Sequence, residues 1–291
     1  MARIAERLAA NVPGEFYVDA TCIDCAACRV IAPASFVRDD RSGQSVVAHQ
    51  PAGEIERERA AMALVACPTA SIGTLHKIDA RAAARRFPEP VAGVDDVFYC
   101  GFHSPDSYGA FSWLVRRADG NLLIDSPRAN RGLMARLDEL GGVTKMFLTH
   151  RDDVADHERF HARFGCARIM HRRDAGRLHP EQLLDGDDPV ALAPDLLAIP
   201  VPGHTAGSTA LLFRDVLFTG DHLWADEHGR LEAERSVCWW SWDAQLASLK
   251  KLTQLEFRHL FPGHGRPLSV PSAAAMRAEL RSLVDRLAPD A

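Results

Sequence analysis

The sequence has no long hydrophobic run and no excess of positive charge, and each absence excludes a class of protein. None of its apolar segments reaches the roughly 18 residues of a membrane-spanning helix, so no membrane association is expected. The formal net charge is −5 and the basic residues form no stripe, which argues against nucleic acid as a partner. Residues 1–11 lack the apolar centre of a signal peptide, so a cytoplasmic location is expected.

The composition is that of a globular protein with one large domain or two ordinary ones. Of the 291 residues, 47% are hydrophobic and 25% are charged. The seven cysteines are an odd number with uneven spacing. In a chain without a recognisable export signal, disulfides are the weaker explanation for them.

Four of the cysteines form a pattern typical of an iron–sulfur cluster. Cys22, Cys25 and Cys28 have the spacing C-x2-C-x2-C, and Cys67 is followed directly by Pro68. Three closely spaced thiols can bind three corners of a cubic cluster, with Cys67 at the fourth. A zinc site and a thioredoxin-type redox site are the alternatives. Zinc usually binds thiols that come as two separated pairs, and a thioredoxin-type C-x-x-C leaves Cys28 and Cys67 without a role.

The region from Gly14 to Gly73 resembles bacterial-type ferredoxins, which implies a ferredoxin-like fold. In two-cluster ferredoxins a fourth cysteine lies three residues after the third and precedes a proline. Here Ala32 occupies that position before Pro33, so we predict one [4Fe-4S] cluster. Such a cluster can carry electrons, sense oxidants or only stabilise its domain, and the sequence leaves these roles open.

A second group of chemically active residues lies in one loop. Met146 to Leu148 are typical of the end of a buried strand, and two histidines and three aspartates follow at once. These residues are His150, Asp152, Asp153, Asp156 and His157. Imidazole and carboxylate together suit zinc, iron or manganese. Taken alone, the loop is explained equally well without a metal, with Asp153 capping a helix and Asp156 favouring the first turn of that helix.

Three later segments favour the metal interpretation, because each places His or Asp in a glycine-containing turn after a short apolar run. They are Pro202-Gly203-His204-Thr205, Thr219-Gly220-Asp221 and Pro262-Gly263-His264-Gly265. With the first loop, this ordered set resembles the metallo-β-lactamase-fold superfamily, and most closely its glyoxalase II-like hydrolases. The resemblance covers roughly Val97 to Pro267.

The resemblance implies two adjacent metal positions. One would use His150, Asp152 and His204, the other would use Asp156, His157 and His264, and Asp221 would bridge them. The chain departs from the family's Thr-His-x-His-x-Asp-His by two extra residues and by loss of the second histidine. Counting forward from the strand puts Asp152 in that place, whereas counting backward puts Val154 there, which cannot bind metal.

The two resemblances imply an α+β protein of two domains. We predict a ferredoxin-like domain at residues 1–76, a linker at 77–94 and an αββα metallo-β-lactamase-type sandwich at 95–291. The linker prediction depends on a shift to Arg, Ala and Pro in that stretch. Local signals also predict a helix from Gly53 to Ala66, a hairpin turn at Asp119-Gly120, and a helix from Asp243 to Leu255 that Asp243 caps.

The predicted function is hydrolysis of a small-molecule ester, thioester or amide with one or two zinc ions. A metal with an open position lowers the pKa of bound water to about 7, and the resulting hydroxide can attack a carbonyl. Asp156 or Asp221 would orient that hydroxide and relay its proton.

Two alternatives come from other classes of protein. His150, His204 and Asp221 form the ligand set of non-haem iron oxygenases, which suggests an oxidoreductase similar to sulfur dioxygenases, with iron as its metal. A redox partner protein would then be expected as well. The third possibility is a redox-sensing, metal-binding protein without catalysis. Elsewhere, the tryptophans that follow Asp221 either line a substrate pocket or pack a loop against the core; they are Trp224, Trp239, Trp240 and Trp242.

Overall fold

The computed structural model describes residues 1–287 and divides into two compact units. The N-terminal unit contains Met1–Thr144 and Ala155–Gly165. The C-terminal unit contains Lys145–Val154 and the chain from Cys166 onward. The predicted domain boundaries at residues 77 and 95 stay a prediction.

The N-terminal unit contains eight strands and five α-helices. The strands are β1 Phe16–Val18, β2 Phe36–Asp39, β3 Gln44–Val47, β4 Ile72–Thr74, β5 Glu89–Pro90, β6 Val97–Tyr99, β7 Trp113–Val115 and β8 Leu122–Ile124. The helices are α1 Ala27–Ile31, α2 Gly53–Ala66, α3 Arg81–Arg85, α4 Arg131–Glu139 and α5 His157–Phe164. Short 3-10 helices lie at Ile4–Glu6 and Pro105–Ser107.

Strand pairing in this unit is antiparallel throughout. β1 pairs with β4, β2 pairs with β3, and β5 to β8 pair in chain order. The hairpin expected at Asp119-Gly120 is confirmed, because β7 and β8 pair directly on either side of it. Helix α2 has the predicted bounds Gly53–Ala66. Within the predicted linker, residues 81–85 form α3 and residues 89–90 form β5.

Up to residue 287, the C-terminal unit contains eleven strands and three α-helices. Its strands are β9 Lys145–Phe147, β10 Ala167–His171, β11 Gln182–Leu184, β12 Val190–Ala193, β13 Leu196–Pro200, β14 Thr209–Phe213, β15 Val216–Gly220, β16 Trp224–Ala225, β17 Leu231–Glu232, β18 His259–Pro262 and β19 Leu268–Ser269. Its helices are α6 Arg172–Ala175, α7 Trp242–Leu252 and α8 Ala273–Leu287. A 3-10 helix lies at Arg235–Val237.

Parallel and antiparallel pairs are mixed in this unit. β9, β10 and β11 pair in parallel, and β12 to β15 form an antiparallel series. β18 then pairs in parallel with β15 and antiparallel with β19, while β16 and β17 form a separate pair. Because β15 and β18 are parallel, the loops that follow them emerge at the same edge of the sheet.

Helices α7 and α8 cover one face of that sheet. Leu249 of α7 and Leu280 of α8 share a buried cluster with Leu217 of β15 and Leu260 of β18. The structure corrects the predicted start of α7, because Ser241 caps the helix by accepting a hydrogen bond from the Ala244 amide, and Asp243 lies in the first turn. Within residues 1–287, no helix combines the length and apolar character needed to cross a membrane.

Candidate metal centre and cluster site

The metal-site candidates of the C-terminal unit all follow strand ends. His150 comes three residues after β9 and His204 four residues after β13, as the strand bounds show. Asp221 follows β15 directly, and His264 comes two residues after β18. Loops held by paired strands can aim side chains at one point, so these four residues converge although 114 positions separate the first from the last (264 − 150).

The first group of close ligand atoms consists of His150, Asp152 and His204. Their nitrogen and carboxylate oxygen atoms all lie within 4.8 Å of one another. Asp152 Oδ2 is 3.4 Å from His204 Nε2 and 3.9 Å from His150 Nε2. Asp221 Oδ2 lies 3.6 Å from His150 Nε2 and 3.8 Å from His204 Nε2. Two imidazoles and two carboxylates at these distances form a donor set that fits zinc or iron.

Neighbouring groups orient the imidazole of His204 for metal binding. Its Nδ1 lies 2.6 Å from the carbonyl oxygen of Val237. A carbonyl oxygen only accepts, so Nδ1 carries the hydrogen, and in the neutral ring Nε2 presents its lone pair towards Asp152 and Asp221. This is the usual arrangement of a metal-binding histidine, whose other nitrogen donates to a carbonyl or carboxylate.

A second group of close ligand atoms contains a residue that the sequence did not single out as a ligand. Asp153 is 1% exposed, and its carboxylate lies within 4.8 Å of ligand atoms of His150 and Asp221. His264 Nε2 is 3.6 Å from Asp221 Oδ2 and 3.9 Å from Asp153 Oδ1. A β-carbon on Gly263 would lie only 2.5 Å from Asp221 Oδ1 and 2.6 Å from Asp153 Oδ2, so glycine here leaves room for both carboxylates.

Asp156 and His157 lie in the N-terminal unit, at the start of α5, and neither group of close ligand atoms in residues 1–287 includes them. Asp156 Oδ2 accepts a 2.6 Å hydrogen bond from the Ala129 amide, and Asp156 Oδ1 is 3.6 Å from Arg159 Nη1. His157 is buried. Their roles as ligands stay predictions.

Electrostatics keep the site carboxylates ionised. Burial alone would raise the pKa of Asp221, but the imidazoles of His264, His150 and His204 outweigh it and hold that pKa well below its usual value. The pKa of Asp152 is lowered mainly by the hydrogen bond that the His204 ring donates when both of its nitrogens are protonated, against a smaller opposing effect of burial. Both side chains are therefore available as anionic ligands at neutral pH.

Asp174, a residue outside every motif, connects the two histidine loops. It is 3% exposed, and its carboxylate accepts hydrogen bonds from the Arg151 amide at 3.2 Å and the Gly207 amide at 2.9 Å. The Thr205 hydroxyl donates to the same carboxylate. No sequence signal marked Asp174, because its partners come from loops 23 and 33 residues away.

In the N-terminal unit, the four motif cysteines Cys22, Cys25, Cys28 and Cys67 line one cavity. Left-handed backbone at Asp24 and Ala26, with φ of 57° and 64°, winds the short loop that carries the first three. Cys67 caps the end of α2, and its Sγ accepts a 3.3 Å hydrogen bond from the Ser71 amide. Four converging thiols in a largely apolar cavity fit a cubic iron–sulfur cluster.

Burial raises the pKa of three of these thiols, those of the C-x2-C-x2-C loop. It raises the pKa of Cys22 and Cys25, and it raises the pKa of Cys28 to about 12. These three thiols therefore stay protonated at neutral pH unless a metal displaces their protons.

A loop near residues 103–110 packs against the cysteine cavity within the same unit. A β-carbon on Gly109 would lie 2.5 Å from Cys25 Cβ and 3.0 Å from its Sγ. His103 is fully buried. Its Nδ1 lies 2.7 Å from the Gly109 carbonyl oxygen, and its Nε2 is hydrogen-bonded to the Tyr99 hydroxyl. The His103 amide also donates to the carbonyl of Ala66, the residue before Cys67. His103 thus holds the loop that packs beside Cys25 and Cys67, a position the sequence did not indicate.

Comparisons with protein families match both halves of the chain. Residues 18–74 match the family described as the 4Fe-4S single cluster domain of ferredoxin I. Residues 106–264 match the metallo-beta-lactamase superfamily, which is more than half of the 291 residues.

Among curated proteins, the chain is similar to hydroxyacylglutathione hydrolases. One from Cereibacter sphaeroides is 36% identical over 140 residues, which cover 46% of this chain and 52% of the relative. One from Fuscovulum blasticum is 36% identical over 142 residues, with the same coverage. The chain therefore spans about half the length of these relatives.

Solved structures are similar in fold at low sequence identity. The BLEG-1 B3 metallo-beta-lactamase is 16% identical with a TM-score of 0.51, covering 66% of this chain and 99% of that one. The DIM-1 metallo-beta-lactamase exposed to ceftazidime is 14% identical with a TM-score of 0.52, covering 67% and 95%. The predicted fold class, a ferredoxin-like domain followed by a lactamase-type sandwich, is confirmed.

Proposed function

The chain belongs to the metallo-beta-lactamase superfamily, and from that premise we propose that it is a metal-dependent hydrolase acting on a small molecule. The observation that carries the proposal is the convergence of His150, Asp152, His204 and Asp221 at 3.4 to 3.9 Å. A bound ion supplies an activated water and polarises the carbonyl under attack.

The proposed division of ligands assigns His150, Asp152 and His204 to the first ion and His264 to the second. Asp221 serves both, because its Oδ2 lies within 3.8 Å of three imidazoles. Asp221 and the predicted Asp156 are the proposed catalytic carboxylates. Zinc is the proposed metal, with iron as the alternative.

A thioester is the proposed substrate class. The regions that match this chain belong to relatives named as hydrolases of hydroxyacylglutathione, an acyl thioester. The attack of water on a thioester needs only a polarised carbonyl and a leaving thiolate, which an ion at this site can support.

Cys22, Cys25, Cys28 and Cys67 are the proposed ligands of one [4Fe-4S] cluster, and we propose that the cluster stabilises or regulates the lactamase-like region. The support is the contact between Gly109, which lies in the family-matched range, and Cys25. The hydrogen bond from the His103 amide to Ala66 adds a second connection beside Cys67.

The alternative is a non-haem iron oxidoreductase, and one observation favours it. His150 Nε2 and His204 Nε2 approach the same oxygen of Asp221, at 3.6 and 3.8 Å. Two histidines and one carboxylate form the iron site of many oxygenases.

Metal analysis and activity assays on the full-length protein separate these functions. The protein is purified without oxygen, its zinc, iron and sulfide per chain are measured, and it is assayed with acyl thioesters and, for oxygen uptake, with a persulfide. We expect iron to match the sulfide of the cluster, zinc to be present in addition, and thioesters to be hydrolysed. Iron in excess of sulfide, together with persulfide-dependent oxygen uptake, would replace the hydrolase proposal by the oxygenase.

We further propose that Asp153 binds the second ion beside Asp221 and His264. Two mostly buried carboxylates this close repel each other unless a cation lies between them. We expect Asp153→Asn to weaken binding of the second ion by about 10- to 100-fold in a titration with zinc, the range typical of altered metal-site partners. Asp156→Asn is the matched variant. A loss of affinity confined to that variant would show that Asp156, and not Asp153, is the ligand of the second ion.

A further inference from the structure

Two tryptophans beside the metal centre are exposed to solvent. Trp239 is 61% exposed and Trp240 is 51% exposed, whereas Trp242 of the same segment packs against the core of the C-terminal unit. The interpretation of this segment as core packing therefore holds for Trp242 and not for its two neighbours. An exposed indole keeps its apolar surface in contact with water until an apolar group covers it. Such side chains are therefore suited to binding an apolar part of a ligand.

The segment that carries Trp239 is held along the loop of His204. The Trp239 amide donates to the His204 carbonyl at 2.9 Å, and the Ser241 amide donates to the Gly203 carbonyl at 3.1 Å. From the other side, His204 Nδ1 donates to the Val237 carbonyl. These hydrogen bonds fix the backbone on both sides of Trp239 and so define where its exposed side chain leaves the chain.

That position is next to a candidate ligand at the open side of the metal centre. The Trp239 ring lies 6.1 Å from the His204 imidazole, centroid to centroid. Asp152, whose carboxylate is 3.4 Å from His204 Nε2, has a side chain that is 45% exposed, so solvent reaches the centre on the side of Asp152. A substrate whose carbonyl reaches the ion from there has its remaining atoms within reach of the indole.

We propose that Trp239 forms an apolar subsite of the metal centre and selects substrates that carry an apolar group beside the reacting carbonyl. This inference rests on the proposed hydrolase function and adds the class of substrate to it. The apolar group belongs either to the acyl chain or to the leaving thiol, since both lie one bond from the carbonyl carbon. The indole covers that group in the complex and thereby removes apolar surface of both partners from water.

The test compares Trp239→Ala with Trp239→Phe and Trp240→Ala in the full-length, metal-loaded protein. One pair of substrates differs in the acyl chain, as acetyl and hexanoyl thioesters of N-acetylcysteamine. A second pair differs in the thiol, as acetyl thioesters of N-acetylcysteamine and of benzyl mercaptan. We expect Trp239→Ala to reduce kcat/KM for the apolar member of one pair about tenfold more than for its partner, chiefly through KM. We expect Trp239→Phe to restore most of the preference and Trp240→Ala to preserve it.

Calorimetric binding of hexanoate and acetate separates this inference from the hydrolase proposal. If the wild-type protein hydrolyses no thioester but prefers hexanoate, and Trp239→Ala removes that preference, the subsite stands and the hydrolase proposal fails. If Trp239→Ala changes neither binding preference nor either substrate preference, the subsite is overturned. An equal loss in Trp240→Ala would also overturn the assignment to Trp239.

Discussion

Replacing His204 by alanine should remove one metal ion per chain and lower hydrolysis by more than about 100-fold, since even indirect partners of metal ligands contribute 10- to 100-fold. The reason is the geometry of the imidazole, whose Nδ1 is held by the Val237 carbonyl while Nε2 lies near Asp152 and Asp221. Without that ring, His150 is the only imidazole left among the proposed ligands of the first ion, which is too few neutral donors for tight binding of zinc. The measurement is metal per chain after dialysis, together with kcat/KM for an acyl thioester.

His228→Ala is the matched control, because His228 lies in the same unit and its side chain is 69% exposed. We expect this variant to keep the metal content and activity of the wild-type protein. Circular dichroism shows whether His204→Ala still folds. A folded His204→Ala protein that keeps its full metal content and activity would show that the metal centre lies elsewhere.

Replacing Gly109 by alanine should cost the protein most of its iron–sulfur cluster. The new β-carbon would lie 2.5 Å from Cys25 Cβ, 3.0 Å from its Sγ and 3.2 Å from Pro68 Cγ, so the cysteine or the loop must move. A displaced thiol cannot hold its corner of a cluster whose four ligands must converge. The readouts are iron and sulfide per chain and the visible absorbance of the cluster, measured on protein purified without oxygen.

Gly93→Ala separates this clash from ordinary backbone strain. Gly93 and Gly109 have similar positive φ angles, 75° and 81°, but no atom lies within 4 Å of a β-carbon at Gly93. Both substitutions carry the cost of a left-handed alanine, about 1 kcal/mol, and only the one at Gly109 also disturbs Cys25. Equal cluster content in the two variants would mean that the loop at Gly109 does not support the cluster.

The same pair of variants tests the proposed coupling between the cluster and the hydrolase. If the cluster stabilises or regulates the lactamase-like region, thioester hydrolysis should fall with cluster content in Gly109→Ala and persist in Gly93→Ala. Full activity in a cluster-depleted Gly109→Ala protein would show that the two functions are independent.

The sequence by itself determined the families of both regions and the position of several elements. The spacing of Cys22, Cys25 and Cys28 depends on local chain geometry, so a short motif was enough to predict the cluster fold. Helix α2 and the hairpin between β7 and β8 followed from local signals in the same way. In the ordered turns around His150, His204, Asp221 and His264, each candidate ligand lies within four residues of a strand end, and a sequence motif records that short spacing.

The tertiary structure alone decided which side chains meet. Asp153 looked like a helix cap, and only the folded loop brings its carboxylate beside Asp221 and His264. Asp174 connects the two histidine loops by hydrogen bonds to residues 23 and 33 positions away from it. Gly109 packs against Cys25, which lies 84 positions earlier (109 − 25). Exposure likewise separated Trp239 from Trp242, two tryptophans three positions apart. Such contacts depend on packing between distant segments, and a pattern of neighbouring residues carries no information about them.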